Sequence, residues 1–246
     1  RDYIAEQAIA PGVVFDGARV HVRNLRAFTY DADSVLERRW LDRSYDLDDV
    51  RRVWFVLSPF ASWRGPAHSF LSFEMADSQF VSISVEARKE VGERYSPLRG
   101  MLRRYELMLV VGEESDVIGM RTQVFGDPVY LYPARATPEQ ARALFVALLR
   151  RAEQVRTEPE FYNPAWNNCA TNLADAINQV TPGRMGWNRA LVLPGYSDDW
   201  AARIGLLELE GEPADVRERY RIDRVAAEAY GAPDFSLAIR RAIPRT

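Results

Sequence analysis

The stretch AHSFLSFEMADSQFVSISVEARKE, residues 67–90, alternates in type on both sides of the turn residues ADSQ. Period-two alternation flanking a short polar turn predicts an antiparallel hairpin. On its first strand His68, Phe70, Ser72 and Glu74 share one face, and Ser69, Leu71, Phe73 and Met75 share the other. On the second, Ser82, Ser84 and Glu86 fall together. The neighbouring segments extend this sheet. Upstream, ARVHVRNLRAFTY reads as one or two strands and VRRVWFVLSPF as another, joined to the hairpin by the loop ASWRGP. Downstream, YELMLVV and VIGMRTQV read as a strand pair around GEESD, with PVYLYPA closing the β-rich part.

Beyond residue 134 the period changes from strand to helix. TPEQARALFVALLRRAEQV opens with Thr137 as N-cap, Pro138 at the first helical position and Gln140 completing a capping box. Ala141, Leu144, Phe145, Leu148, Leu149, Ala152 and Val155 form one apolar face. A second helix is predicted from Cys169 to just before Thr181-Pro182-Gly183, with Leu173, Ile177 and Val180 at helical spacing. Short helices are expected from Ser197, Pro213, Arg224 and Asp234. Strands first and helices after predict an α+β fold. We read residues 1–246 as a single domain, β-rich over 12–134 and helical over 137–246.

Composition narrows the function classes. The 246 residues are 47% hydrophobic, ample for a buried core, and carry a net charge of −3. Acidic and basic residues are interleaved, so no nucleic-acid footprint stands out and no nucleic-acid partner is expected. One cysteine excludes an intramolecular disulfide, and with two histidines it is too small a set for a dedicated Cys/His metal centre. No metal or other cofactor is expected. No apolar run approaches the roughly 18–20 residues that span a bilayer. The chain opens at Arg1 rather than methionine, which predicts a segment whose address or anchor lies outside it.

The lone cysteine sits in WNNCATNLADAIN, residues 166–178, at a loop-to-helix junction after Tyr162-Asn163-Pro164. Unpaired backbone N–H groups and the positive end of a helix dipole favour the thiolate there. Inert space-filling is the alternative, since free cysteine is among the most buried residue types. A nucleophilic thiol wants a base. His21, in RVHVRN, shares a polar face with Arg19 and Arg23 and reads as a solvent-facing strand residue. His68 follows a Gly-Pro loop and enters a strand, a better position for a cleft. Across the hairpin, one of Ser82, Ser84 and Glu86 is placed to orient the imidazole as the third member of a triad does. Glu86 also reads as a strand-end surface carboxylate, with Arg88 a competing ion-pair partner.

These segments carry a resemblance. AHSFLSFEMADSQFVSISVEARKEVGERYSPLRG, YELMLVVGEESDVIGMRT, FYNPAWNNCATNLADAIN and LPGYSDDWA resemble, in order, the bacterial Lnb N-terminal periplasmic domain family, over about residues 20–240. The resemblance implies a membrane-attached protein at the periplasmic face of the inner membrane, with the anchor outside these residues. It further implies a link to lipoprotein N-acylation, with a membrane lipid or lipoprotein as acyl donor, a lipoprotein as acceptor, and the membrane surface as partner. More distantly, a histidine, then a polar residue one strand later, then Asn-Cys opening a helix is similar to circularly permuted NlpC-type, papain-like thiol enzymes such as lecithin:retinol acyltransferase. That likeness implies Cys169 as nucleophile, His68 as base, Ser84 or Glu86 as orienting group and Asn168 as an oxyanion or positioning residue. Ala170 stands where many family members carry a hydroxyl. Phe60, Trp63 and Trp166 would contact lipid, ordinary core packing being the alternative for each. Three classes follow: a thiol acyltransferase, a thiol hydrolase (cell-wall peptidase or lipase), and a non-enzymatic periplasmic binding domain.

Overall fold

The computed structural model describes residues 1–32, 34–209 and 217–244. Ten strands form: β1 (Gly12–Asp16), β2 (Arg19–Arg26), β3 (Thr29–Tyr30), β4 (Val35–Glu37), β5 (Trp40–Asp46), β6 (Val50–Pro59), β7 (Ala67–Met75), β8 (Phe80–Arg88), β9 (Glu106–Glu113) and β10 (Tyr130–Pro133). The main sheet runs β1-β2-β9-β8-β7-β6-β10, with β5 also on β2; β3 and β4 pair separately. The pairings are antiparallel except β2 with β9, which meet in parallel at Arg26 and Gly112. The predicted hairpin is β7–β8, with Phe70 opposite Ser84 and Glu74 opposite Phe80. Its turn places Ser78 in the left-handed region at φ 62°, and the Asp77 carboxylate accepts from the Gln79 N–H.

Two helical layers cover the sheet. On one face lie α3 (Pro138–Thr157) and α4 (Cys169–Val180). Thr137 caps α3 through the predicted box with Gln140, and all seven residues of the predicted apolar face are buried. They pack with Leu71, Phe73, Ile83, Val85, Leu109 and Val111, each full burial of such a side chain contributing about 1.5–3 kcal/mol. α4 begins with its own box, in which the Asn168 side chain accepts from Thr171 N–H and the Thr171 hydroxyl accepts from Asn168 N–H. On the opposite face, Phe70, Trp54 and Val56 pack with α2 (Glu114–Gly119) and with Tyr220, Ile222, Phe235 and Ile239 from the C-terminal part. The smaller helices are α1 (Pro97–Met101), α5 (Ser197–Arg203), and the segments Asp223–Glu228 and Phe235–Arg241. Among the described residues no helix is long and apolar enough to cross a membrane.

The observed architecture is a mostly antiparallel sheet followed by helices. Two expectations need comment. VIGMRTQV is not a strand: α2 starts at Glu114 and runs into a π-helical turn over Met120–Val124. The physical reason is a buried anchor at its first turn. Asp116 there takes a two-pronged ion pair from Arg26, a hydrogen bond from the Tyr30 hydroxyl and another from the Phe28 N–H. A strand would alternate Asp116 and Val117 across faces, whereas the helix turns Val117 and Ile118 into the core. Of the short C-terminal helices, those expected at Ser197, Arg224 and Asp234 form within a residue of their predicted starts. The one at Pro213 lies outside the described residues.

Candidate active site

The β7–β8 hairpin positions His68. His68 Nε2 lies 2.6 Å from Ser84 Oγ and 3.1 Å from Glu86 Oε1. Ser84 in turn donates to Glu86 Oε1 at 2.7 Å. With its own hydrogen committed to the carboxylate, the Ser84 oxygen accepts from Nε2–H. Both acceptors therefore fix the ring proton on Nε2 and leave Nδ1 for the opposite side. Ser84 and Glu86 orient the imidazole together, not as alternatives. Arg88 does not compete for Glu86; its guanidinium goes to the carbonyls of Gln7 and Ala8 and over the Tyr3 ring.

His68 and Cys169 belong to opposite layers, and a parting of strands lets them meet. The β7–β8 ladder ends at Phe70–Ser84, although β7 continues to Ala67 along β6 and β8 to Arg88 along β9. In that opening the Ser69 backbone N–H, freed from the ladder, turns to the sulfur of Cys169 at the tip of α4. The imidazole meets the same sulfur. Cys169 is 3% exposed and His68 7%.

Electrostatics follow from this packing. Burial raises the pKa of the Cys169 thiol, but the His68 ring and the Ser69 backbone N–H outweigh it, so the thiol sits below its ordinary value. Burial lowers the His68 pKa, and the Glu86 charge overcomes it, leaving the imidazole more basic than usual. Glu86 is desolvated too, which alone would keep it protonated. His68, Arg121 and the Ser84 hydroxyl hold it well below the usual carboxylate range. The result is a thiol and imidazole biased toward thiolate and imidazolium, the pairing that makes cysteine nucleophilic near neutral pH.

Several contributors carried no sequence signal. Arg121, on the π-helical turn, stands 3.5 Å from Glu86 and 3.8 Å from Asp127, and it is buried. Ser58 donates to Asp127, whose pKa is raised because burial outweighs the Arg121 charge. Near Cys169 lie Tyr95 and Tyr162, ring against ring at 86°. His21 instead bonds Ser44 through Nδ1 and takes no part.

The loop before His68 is tied down from far along the chain. Gly195 N–H donates to the Gly65 carbonyl at 2.9 Å, and Arg64 Nε donates to the Gly195 carbonyl at 3.0 Å. Arg64 also pairs with Asp198 and Asp199, and Asp198 takes Arg217 and the Tyr132 hydroxyl. A Cβ at position 195 would stand 1.5 Å from the Arg64 carbonyl oxygen, so only glycine fits this approach. Phe60 and Trp63 on the clamped loop are exposed at 44% and 54%, and Trp166 at 64%. None of the three is core packing. Phe60 touches Tyr95 edge-on, which places it beside the thiol pocket.

Asn168 is where the sequence reading placed it, but its amide is fully engaged. Its nitrogen donates to the carbonyls of Pro164 and Leu191 at 2.7 and 2.8 Å, and its oxygen caps α4. The role of oxyanion donor expected for this amide is therefore corrected: no N–H is left over, and the residue positions the helix start. Asn172 similarly bonds Asn167 and the Asn168 carbonyl.

The model of a protein family described as the Lnb N-terminal periplasmic domain matches residues 37–200, a span that holds Ser58, His68, Ser84, Glu86, Arg121, Asp127 and Cys169. Searches of curated proteins and of solved structures give no significant match. With well over half of its 246 residues inside that span, the chain belongs to the Lnb N-terminal periplasmic domain family.

Proposed function

We propose that this protein is a cysteine-dependent acyltransferase that moves a fatty acyl chain from a membrane lipid or lipoprotein donor to the N-terminal amine of a bacterial lipoprotein. The observation that carries the reading is the buried Cys169–His68–Ser84–Glu86 relay at a helix N-terminus, in a family linked by resemblance to lipoprotein N-acylation. The order of these residues along the chain supports a permuted papain-like arrangement, with the β-rich and helical parts acting as one catalytic unit.

The chemistry follows from the geometry. The Cys169 thiolate attacks the ester carbonyl carbon of the donor, forming a C–S bond and a tetrahedral oxyanion. The Cys169 backbone N–H, unpaired at the first turn of α4, is positioned to stabilise that charge. As the C–O bond breaks, imidazolium Nδ1–H protonates the departing alkoxide, and a lyso-lipid leaves. The acceptor amine then attacks the thioester, the C–S bond breaks, and His68 takes the amine proton. Glu86 stays ionised throughout and holds the ring through Nε2. The near-complete burial of Cys169 limits water as a competing nucleophile, which favours transfer over hydrolysis. Phe60, Trp63 and Trp166 present exposed rings beside the site, as a protein working at the periplasmic face of the inner membrane would use to meet the bilayer.

The test is reconstitution of the protein in a bilayer with a diacyl phospholipid donor and a lipopeptide acceptor bearing a free N-terminus. Mass spectrometry should find acyl-amine product and, with acceptor omitted, an acyl adduct on Cys169. Cys169→Ser should abolish both. Phe60→Ala with Trp63→Ala should lower use of the bilayer donor at least tenfold while sparing a soluble thioester. Free fatty acid as the sole product would make the protein a lipase instead. An unmodified, unreactive Cys169 would leave a binding domain.

A further inference from the structure

An apolar cavity of 330 Å³ runs along the flank of α4 and begins beside the nucleophile. Ser69 and Ala170 line its near end, and Leu173, Ile177 and Val180 follow at helical spacing, with Leu206 on the outer wall. From Ala170 to Val180 the helix rises about 15 Å, so the space is long for its volume. Arg135, Gln140, Thr181 and Arg184 also line it, but most of the wall is apolar, and that shape and lining suit an unbranched hydrocarbon chain with a polar group at one end.

The near end holds a second, independent sign of a ligand. The Ser69 side chain is 0% exposed, lines the cavity, and its hydroxyl makes no formed hydrogen bond. Its backbone N–H and hydroxyl both face the Cys169 sulfur. A buried hydroxyl without a partner is costly in an apolar wall unless a ligand completes it. A carbonyl oxygen on a carbon bonded to the sulfur would lie within the reach of that hydroxyl.

We infer that this cavity is an acyl-chain site, in which the Ser69 hydroxyl donates to the carbonyl oxygen of an acyl group on Cys169 and the hydrocarbon tail lies along Leu173, Ile177 and Val180. The inference rests on Cys169 being the acylated residue. It adds what that reading lacks: a straight-chain specificity measured by the length of α4, and an oxyanion donor in place of the engaged Asn168 amide.

Two measurements separate this inference from the reading beneath it. The first needs no chemistry: dodecanoate displaces a fluorescent fatty acid from the Cys169→Ser protein, and Ile177→Trp, which fills the middle of the cavity, should weaken dodecanoate at least tenfold. The second is single-turnover acylation of Cys169 by 4-nitrophenyl esters from acetyl to dodecanoyl. The unaltered protein should gain up to about fourfold per added methylene until the cavity is filled. Ile177→Trp should cut the dodecanoyl-to-acetyl rate ratio at least tenfold, and Val180→Trp, at the half-buried far end, should cut it less. Ser69→Ala should lower the acylation rate at least tenfold for every ester while leaving the dodecanoyl-to-acetyl rate ratio unchanged. If neither tryptophan alters dodecanoate binding or the chain-length profile, the cavity is not the acyl site. If binding responds but no ester acylates Cys169, the cavity stands and the transferase reading falls.

Discussion

Replacing Glu86 by glutamine isolates the charge that drives the site. Glutamine keeps the volume, and its carbonyl oxygen can still accept from the Ser84 hydroxyl and from His68 Nε2–H. What disappears is a full negative charge 3.1 Å from the imidazole. At an effective dielectric of about 20, such a pair is worth about 5 kcal/mol. Part of that is retained, because the Ser84 oxygen and the glutamine carbonyl still accept from Nε2–H and stabilise the imidazolium. A net loss of about 2–3 kcal/mol in imidazolium stability remains, equivalent to roughly 30- to 150-fold. Without the carboxylate His68 holds its proton less well, so Cys169 loses a neighbouring positive charge and its thiolate becomes harder to form. The assay is iodoacetamide alkylation of Cys169 as a function of pH, read by intact mass. The unaltered protein should alkylate with an apparent pKa below that of an ordinary thiol. In Glu86→Gln the profile should move to higher pH, with rates falling near neutrality and converging in alkali. Overlapping profiles would refute the electrostatic account, because no packing change could mask so large a charge effect.

Gly195→Ala should push the Arg64–Gly65 segment away by colliding with the Arg64 carbonyl, displacing the loop that feeds His68. A shift of about 1 Å at such a site costs on the order of 100-fold in acylation rate, so a rate within twofold of the unaltered protein would show that the clamp does not set the geometry. Asp116→Asn leaves Arg26 buried without its charge partner and should cost about 3–5 kcal/mol, read as a drop in Tm; a change below about 1 kcal/mol would remove this pair from the account of why α2 forms.

The two most local signals in the sequence proved the most informative. Alternation over 67–90 specified the hairpin and put His68, Ser84 and Glu86 on one face. The Thr137 cap marked α3 at its first residue, and the loop-to-helix junction at Cys169 marked the start of α4. The meeting of His68 with Cys169 was expected from there being one well-placed histidine, but not the route. It depends on β7 and β8 separating beyond Phe70–Ser84, which no residue pattern announces. Residues 114–124 were misread because Val117, Ile118 and Met120 suit a strand as well as a helix. The deciding contact, Asp116 to Arg26, spans ninety positions. Arg121 and Asp127 were invisible for the same reason: a buried charge looks like any surface charge until its partners are in place. The oxyanion role that the family likeness implies for Asn168 fails because its carbonyl acceptors, Pro164 and Leu191, come from a loop behind it and a turn ahead of it.

The tie between Gly195 and the Arg64–Gly65 segment has a bearing on when reactivity appears. During synthesis His68 and Cys169 both emerge before the segment that secures the loop beside them. A chain halted between residues 169 and 195 would hold a thiol and an imidazole but lack the strap that steadies the entrance to β7. Cleavage between residues 169 and 195 would therefore release the entrance to β7 while leaving His68 and Cys169 on their own elements.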